Sequence, residues 1–148
     1  MSDPSRPDVD LDAACACGAV HVRVKGRVRS MLLCSCEDCQ RATGAGHSAI
    51  AIFGAGDVTI AGPVQRFERS AASGATLVRS FCPTCGTPLA GRSSRWPDAL
   101  LMPAGLFGSD TAWYAPTQLI FARSHRDWDS IDPGLPRHET YRQKREEH

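Results

Sequence analysis

No apolar run in the chain approaches the roughly 20 residues that a membrane-spanning helix needs. A charged-then-apolar leader is also missing, since the chain opens Met1-Ser2-Asp3-Pro4. Neither sign of charge dominates: 17 Lys and Arg stand against 16 Asp and Glu, for a formal net charge of +1. No basic field therefore argues for nucleic acid or a membrane surface, and acidic tracts are equally absent. Long helical periodicity and internal repeats are missing too. These absences point to a soluble, intracellular and most simply cytoplasmic protein. One domain with a modest core is expected from 148 residues of which 42% are apolar. The last absence is the most informative: no cysteine lies outside three tight groups.

Those groups are Cys15-Ala16-Cys17, Cys34-Ser35-Cys36-Glu37-Asp38-Cys39 and Cys82-Pro83-Thr84-Cys85. The odd count and the missing leader argue against disulfides. Cysteines one residue apart are also poorly placed to bridge each other. Cys82 and Cys85 have the spacing of a redox dithiol, but such a motif usually opens a helix, and Gly86 and Pro88 follow here. Metal binding is left. All-thiolate tetrahedral sites select zinc or iron–sulfur, and ferredoxin-type spacings are absent, so zinc is the expected ion.

A tetrahedral zinc takes four ligands, so seven thiols divide into one closed site and one with three protein ligands. Closed sites are structural, whereas a site with a position left over can do chemistry. Cys15, Cys17, Cys82 and Cys85 form two pairs on two hairpins and are assigned to the closed, structural site. A zinc there clips together segments about sixty-five residues apart, which stabilises a small domain. Cys34, Cys36 and Cys39 make the second site. The other partition, one pair joining the triplet, gives five ligands and an unused pair, and is less economical. Seven thiolates and two zinc ions would move the net charge to about −2.

The rest of the chain reads as short strands with turns between them. Val20, Val22 and Val24 alternate with polar residues, and Val28–Leu33 runs into the triplet. Glu37–Ala42 predicts one short helical turn, ended by Gly44. Strands are expected at 47–53, 57–60, 64–68, 76–81, 99–103 and 118–121. Residues 1–11 are expected to be a loose tail, the chain from Arg137 to be frayed, and 139–148 to form a charged C-terminal tail. The fold class is therefore mainly β: a small two-sheet sandwich with zinc-knuckle hairpins, carried by a domain at 12–138.

In their order and spacing, Cys15-Ala16-Cys17-Gly18, the run from Cys34 through Gly44, and Phe81-Cys82-Pro83-Thr84-Cys85-Gly86 resemble the glutathione-dependent formaldehyde-activating enzyme and centromere protein V family. Ser124, Trp128 and Gly134-Leu135-Pro136 look like that family's ending. The resemblance implies a two-sheet β fold, a structural zinc on the first and last pairs, and a substrate-side zinc on the triplet. It also implies an activity, addition of glutathione to formaldehyde, which is a carbon–sulfur lyase reaction run in reverse. Many members carry His between the first two cysteines of the triplet, where this chain has Ser35.

A zinc on three thiolates carries a charge near −1, which suits it to holding a substrate thiolate rather than to activating water. Such a thiolate can attack an aldehyde carbon, so the cysteines are ligands and the substrate supplies the sulfur. Gln40 and Arg41 are candidates to bind a carboxylate of a glutathione-like thiol, although Arg41 also suits a solvated helix face. His47 is a candidate proton shuttle or fourth ligand, and a lone His near a strand start is also commonly a plain hydrogen-bonding residue. Trp96, Trp113 and Trp128 fit a pocket lining or, more simply, core packing. Arg79, Arg92, Arg95 and Arg123 qualify for anion contacts only if they face the triplet.

Two functions remain. One is a zinc-dependent carbon–sulfur lyase acting on a thiol–aldehyde adduct, with glutathione and formaldehyde as partners. The other is a non-catalytic, zinc-stapled protein-interaction module. A homodimer is compatible with either.

Overall fold

The computed structural model describes residues 3–142. The described strands fall into two sheets, the mainly β class expected. The described residues gather into two compact units, each made of two chain segments. The first takes the chain up to Ser30 together with Ala51–Tyr114, and the second takes Met31–Ile50 together with the chain from Ala115 on.

In the first unit, β1 (Asp8–Ala14) pairs antiparallel with β2 (His21–Arg27). The other edge of β2 pairs with β5 (Val58–Ala61). Alternation decides which side is buried. Val9, Leu11, Val22 and Val24 turn inward, while Asp8, Asp10 and Asp12 stand opposite Arg27, Lys25 and Arg23 on the exposed face. Arg23 reaches Asp10 at 2.6 Å and Asp12 at 2.8 Å. A one-residue slip would bury these carboxylates, so the register is strongly set.

The first unit also holds an antiparallel run ordered β9 (Ala99–Pro103), β8 (Pro88–Ser93), β7 (Thr76–Phe81), β6 (Gln65–Ser70). Its core centres on Phe53, fully buried in β4 (Ser48–Gly54), with the rings of Phe107 and Trp113 packed on it at 6.3 and 6.0 Å. Trp113 is thus a packing residue, whereas Trp96 and Trp128 are largely exposed.

The second unit is built on β3 (Ser30–Cys34) and α1 (Glu37–Thr43). The short strand β10 (Leu119–Ile120) runs parallel to the end of β3, with Leu119 opposite Leu33 and Ile120 opposite Cys34. Leu33, Leu119 and Ile131 form its core, with Ala49, Ala122 and Leu135 against them.

Three expectations need correction. Residues 8–11, read as tail, form the first half of β1, because their alternation of acid and apolar residues continues to Ala14. Pro88–Ser93, not expected as a strand, is β8; its proline and glycine hide the pattern, and pairing with β7 supplies the order. The chain from Arg137 is docked over its described part: Phe121, Ala122 and Leu119 donate backbone hydrogen bonds to Thr140, His138 and Pro136, and Tyr141 packs on Phe121 at 4.8 Å. Alternating charge says nothing about such main-chain pairing. Residues 143–148 of the expected tail lie outside the described residues.

Candidate functional site

The four-cysteine group belongs to the first unit. Each pair sits on a tight hairpin of the same design. Cys15 donates its N–H to Val20 O while Gly18 N–H returns to Cys15 O; Cys82 donates to Thr87 O while Gly86 N–H returns to Cys82 O. Both returns need a left-handed residue, and Gly18 (φ 79°) and Gly86 (φ 75°) supply it. The four sulfurs lie within 4.8 Å of one another. Cys17 Sγ is 3.6 Å from Cys15 Sγ and 3.7 Å from Cys82 Sγ. Zinc–sulfur bonds of about 2.3 Å in a tetrahedron place sulfurs about 3.8 Å apart, so the donor set fits that ion.

Thr87 joins the two hairpins. Its Oγ1 accepts from Ala16 N–H at 3.1 Å, which leaves its own proton for Cys85 Sγ at 3.2 Å. That hydroxyl is the first cause of a Cys85 thiol pulled down to about 5, followed by the Thr87 and Cys17 backbone N–H groups. Val20 N–H likewise donates to Cys15 Sγ at 3.3 Å.

The triplet belongs to the second unit, where strand passes into helix. Cys34 ends β3 and is buried; Cys36 caps α1, its sulfur accepting Cys39 N–H at 3.3 Å; Cys39 lies in the first turn. All three sulfurs lie within 4.8 Å of one another, and no histidine or carboxylate of the described residues joins the group. The Cys34 thiol is pushed far above the usual thiol range, first by hydrogen bonding to Cys36 and then to Cys39, with burial adding to both. Three sulfurs this close cannot all ionise on their own; a cation removes the conflict, which is how metal binding and thiol ionisation are coupled.

The predicted substrate-side residues are placed as follows. Gln40 follows Cys39 on α1, and its Nε2 donates to Ser35 O at 2.8 Å and to Ser124 O at 2.9 Å. Its Oε1 accepts from Arg126 Nε at 3.2 Å. Arg41 is exposed and pairs loosely with Glu37 at 3.7 Å and Asp38 at 3.8 Å. His47 is outside the three-sulfur group; its Nδ1 meets Asp129 Oδ2 at 2.8 Å. Asp129 is nearly buried, at 12% side-chain exposure, and its carboxylate rests on Gly46, where any Cβ would collide with it.

Ser35, at the position where the family often has His, is fully buried, and its Oγ has no hydrogen-bond partner among the described residues. Arg79, Arg92 and Arg95 belong to the first unit, and Arg123 lies 5.5 Å over the Phe121 ring.

A cleft of about 360 Å³ opens beside the triplet's helix. Glu37, Gln40 and Arg41 of α1, the Gly44–Ala45 turn, and Arg126 with Trp128 line it. Gln40 and Arg41 are thus brought together there, while neither His47 nor Ser35 lines it. Sequence reasoning passes over Thr87, Asp129 and Arg126. Thr87 carries a local signal, two residues past Cys85; Asp129 and Arg126 lie more than eighty residues from their partners and carry none.

Residues 10–124 match the family described as glutathione-dependent formaldehyde-activating enzyme. The chain belongs to that family. The match contains all three cysteine groups and stops before Arg126, Trp128 and Asp129. A solved Rhodobacter sphaeroides protein is similar at 20% identity and a TM-score of 0.51, over 67% of this chain and 89% of that one. At that identity the likeness speaks for the fold alone.

Among the described residues, no helix is long and apolar enough to cross a membrane.

Proposed function

We propose that the chain is a zinc-dependent carbon–sulfur lyase that makes and breaks the adduct of a small thiol with an aldehyde, glutathione and formaldehyde being the family's pair. The observation that carries this reading is the three-sulfur group without a fourth protein donor among the described residues, in a chain of this family. Cys34, Cys36 and Cys39 would hold the substrate-side zinc, and Cys15, Cys17, Cys82 and Cys85 the structural one. Bound at the triplet, zinc supplies the acidity that keeps a thiol as its thiolate at neutral pH.

The reaction itself is an addition. A sulfur–carbon bond forms, the carbonyl π pair moves to oxygen, and the thiol proton ends on that oxygen; the lyase direction reverses each change. His47 is suited to carry the proton. With Nδ1–H held by Asp129, its Nε2 keeps a lone pair, the tautomer a general base needs. Arg41 supplies positive charge for a substrate carboxylate. Gln40 ties α1 to the Ser35 and Ser124 carbonyls and so fixes the cleft wall. Burial of Cys34 keeps water from one side of the triplet. The cysteine usage suits a reducing cytoplasm.

The test is the rate of S-hydroxymethyl adduct formation from glutathione and formaldehyde, measured against the uncatalysed background with zinc-loaded protein. Acceleration that disappears in Cys36→Ser supports the reading. No acceleration, with about two zinc ions per chain by direct metal analysis, leaves the non-catalytic zinc-stapled module instead.

A further inference from the structure

We propose that Arg126 is the residue that recognises a carboxylate on the thiol, and that the cleft beside α1 seats the part of the substrate that lies away from the sulfur. This inference rests on the lyase reading above. Its support is the way Arg126 is held. Its Nε donates to Gln40 Oε1 at 3.2 Å and its Nη2 to Glu37 Oε1 at 3.4 Å. Gln40 is in turn fixed by Ser35 O, the carbonyl between two triplet cysteines.

An unbroken set of hydrogen bonds therefore runs from the triplet's backbone to the guanidinium. Arg126 keeps Nη1 without a partner among the described residues and is 44% exposed, so a charged donor stands fixed and accessible. A donor fixed before binding loses little entropy when a carboxylate arrives.

Arg41 is different: its side chain is 73% exposed and its two ion pairs are long, so it adds charge without a fixed direction. The cleft lining carries two guanidinium groups and one carboxylate, Glu37, with Asp38 pairing Arg41 from outside the lining. Trp128, 70% exposed at the same cleft, offers a ring to cover the methylenes of such a ligand. Gln40 follows Cys39 on α1 and holds both Ser35 O, between two triplet cysteines, and Arg126, so the guanidinium is anchored to the segment that carries the triplet. The ligand class is a small thiol bearing a carboxylate.

The probe is S-methylglutathione, whose capped sulfur reports the cleft separately from the reaction, titrated by calorimetry into the zinc-loaded full chain. Arg126→Ala is expected to weaken binding about tenfold to a hundredfold. Arg126→Lys should fall between, since lysine keeps the charge and loses the planar fork; it also serves if Arg126→Ala does not fold. Equal affinity in wild type and both variants, or no binding by wild type, overturns the assignment.

A second measurement, acceleration of formaldehyde addition to the carboxylate-free 2-mercaptoethanol, tests the reaction without the cleft. Binding intact with no acceleration of either thiol sinks the lyase reading and leaves Arg126 in place. Acceleration with no effect at Arg126 sinks Arg126 and leaves the lyase.

Discussion

Two cysteine groups occur in two units, and they differ in a way that exposure alone would misread. Cys17 and Cys85 of the four-sulfur group lie at the surface, whereas Cys34 of the triplet is buried and Cys36 and Cys39 are half-buried. Accessibility would send chemistry to the first group. Donor count sends it to the second, because four sulfurs complete a zinc tetrahedron and three do not. The scaffolds agree with the count. The four sulfurs hang from paired hairpins locked by Thr87, a rigid clip between segments far apart in sequence. The three sit where β3 becomes α1, and that helix continues into a cleft.

The largest test of this contrast is Cys82→Ser. Structural zinc contributes on the order of 10 kcal/mol to folding, comparable with the whole stability of a small protein. Loss of cooperative thermal unfolding is expected, together with loss of zinc. A variant that melts like wild type would remove the structural role.

Cys36→Ser should do the opposite: lose one zinc by metal analysis, keep the far-ultraviolet circular dichroism of the fold, and lose adduct-forming activity roughly a thousandfold or more, about 4 kcal/mol of barrier. Equal destabilisation by both variants would erase the distinction between the two units.

A smaller effect is expected at the dyad. Asp129→Ala should lower kcat about 10- to 100-fold with little change in the thiol KM, since it frees the His47 ring without touching a cysteine. Nitrogen-15 NMR should show the Nδ1–H tautomer of His47 lost in the same variant. Unchanged kcat would reduce the pair to packing. Gly46→Ala should act in the same direction, because its Cβ would displace the Asp129 carboxylate.

The smallest effect is at Thr87→Val, which removes the hydroxyl between Ala16 and Cys85. About 1 kcal/mol of stability, a few degrees in Tm, should be lost with catalysis intact. Lost activity at constant Tm would mean that the four-cysteine group takes part in the chemistry.

The two sulfur groups that could hold metal were legible because thiol chemistry is local: spacings of two and three residues place sulfurs together on any tight turn, and the clustering into four and three agrees with the count. The helical turn expected at Glu37–Ala42 was legible from Gly44 and is α1, one residue longer, and the central strands were legible from their alternation. Residues 8–11 were hidden by their acids, which face solvent on β1, and Pro88–Ser93 by residues that weaken a strand pattern without preventing pairing.

Gln40 shows the limit at the site itself. Its position next to Cys39 marked it as important, but its role as a strap between Ser35, Ser124 and Arg126 depends on a segment more than eighty residues away. By itself, the sequence determined which atoms can hold metal, since ligand identity and short spacing are properties of the chain alone. Only the tertiary structure decided that His47 meets Asp129 and that Arg126 is anchored at the cleft. Those partners are brought together by packing of the second unit around Leu33, Leu119 and Ile131, and long-range packing of that kind leaves no local pattern to read.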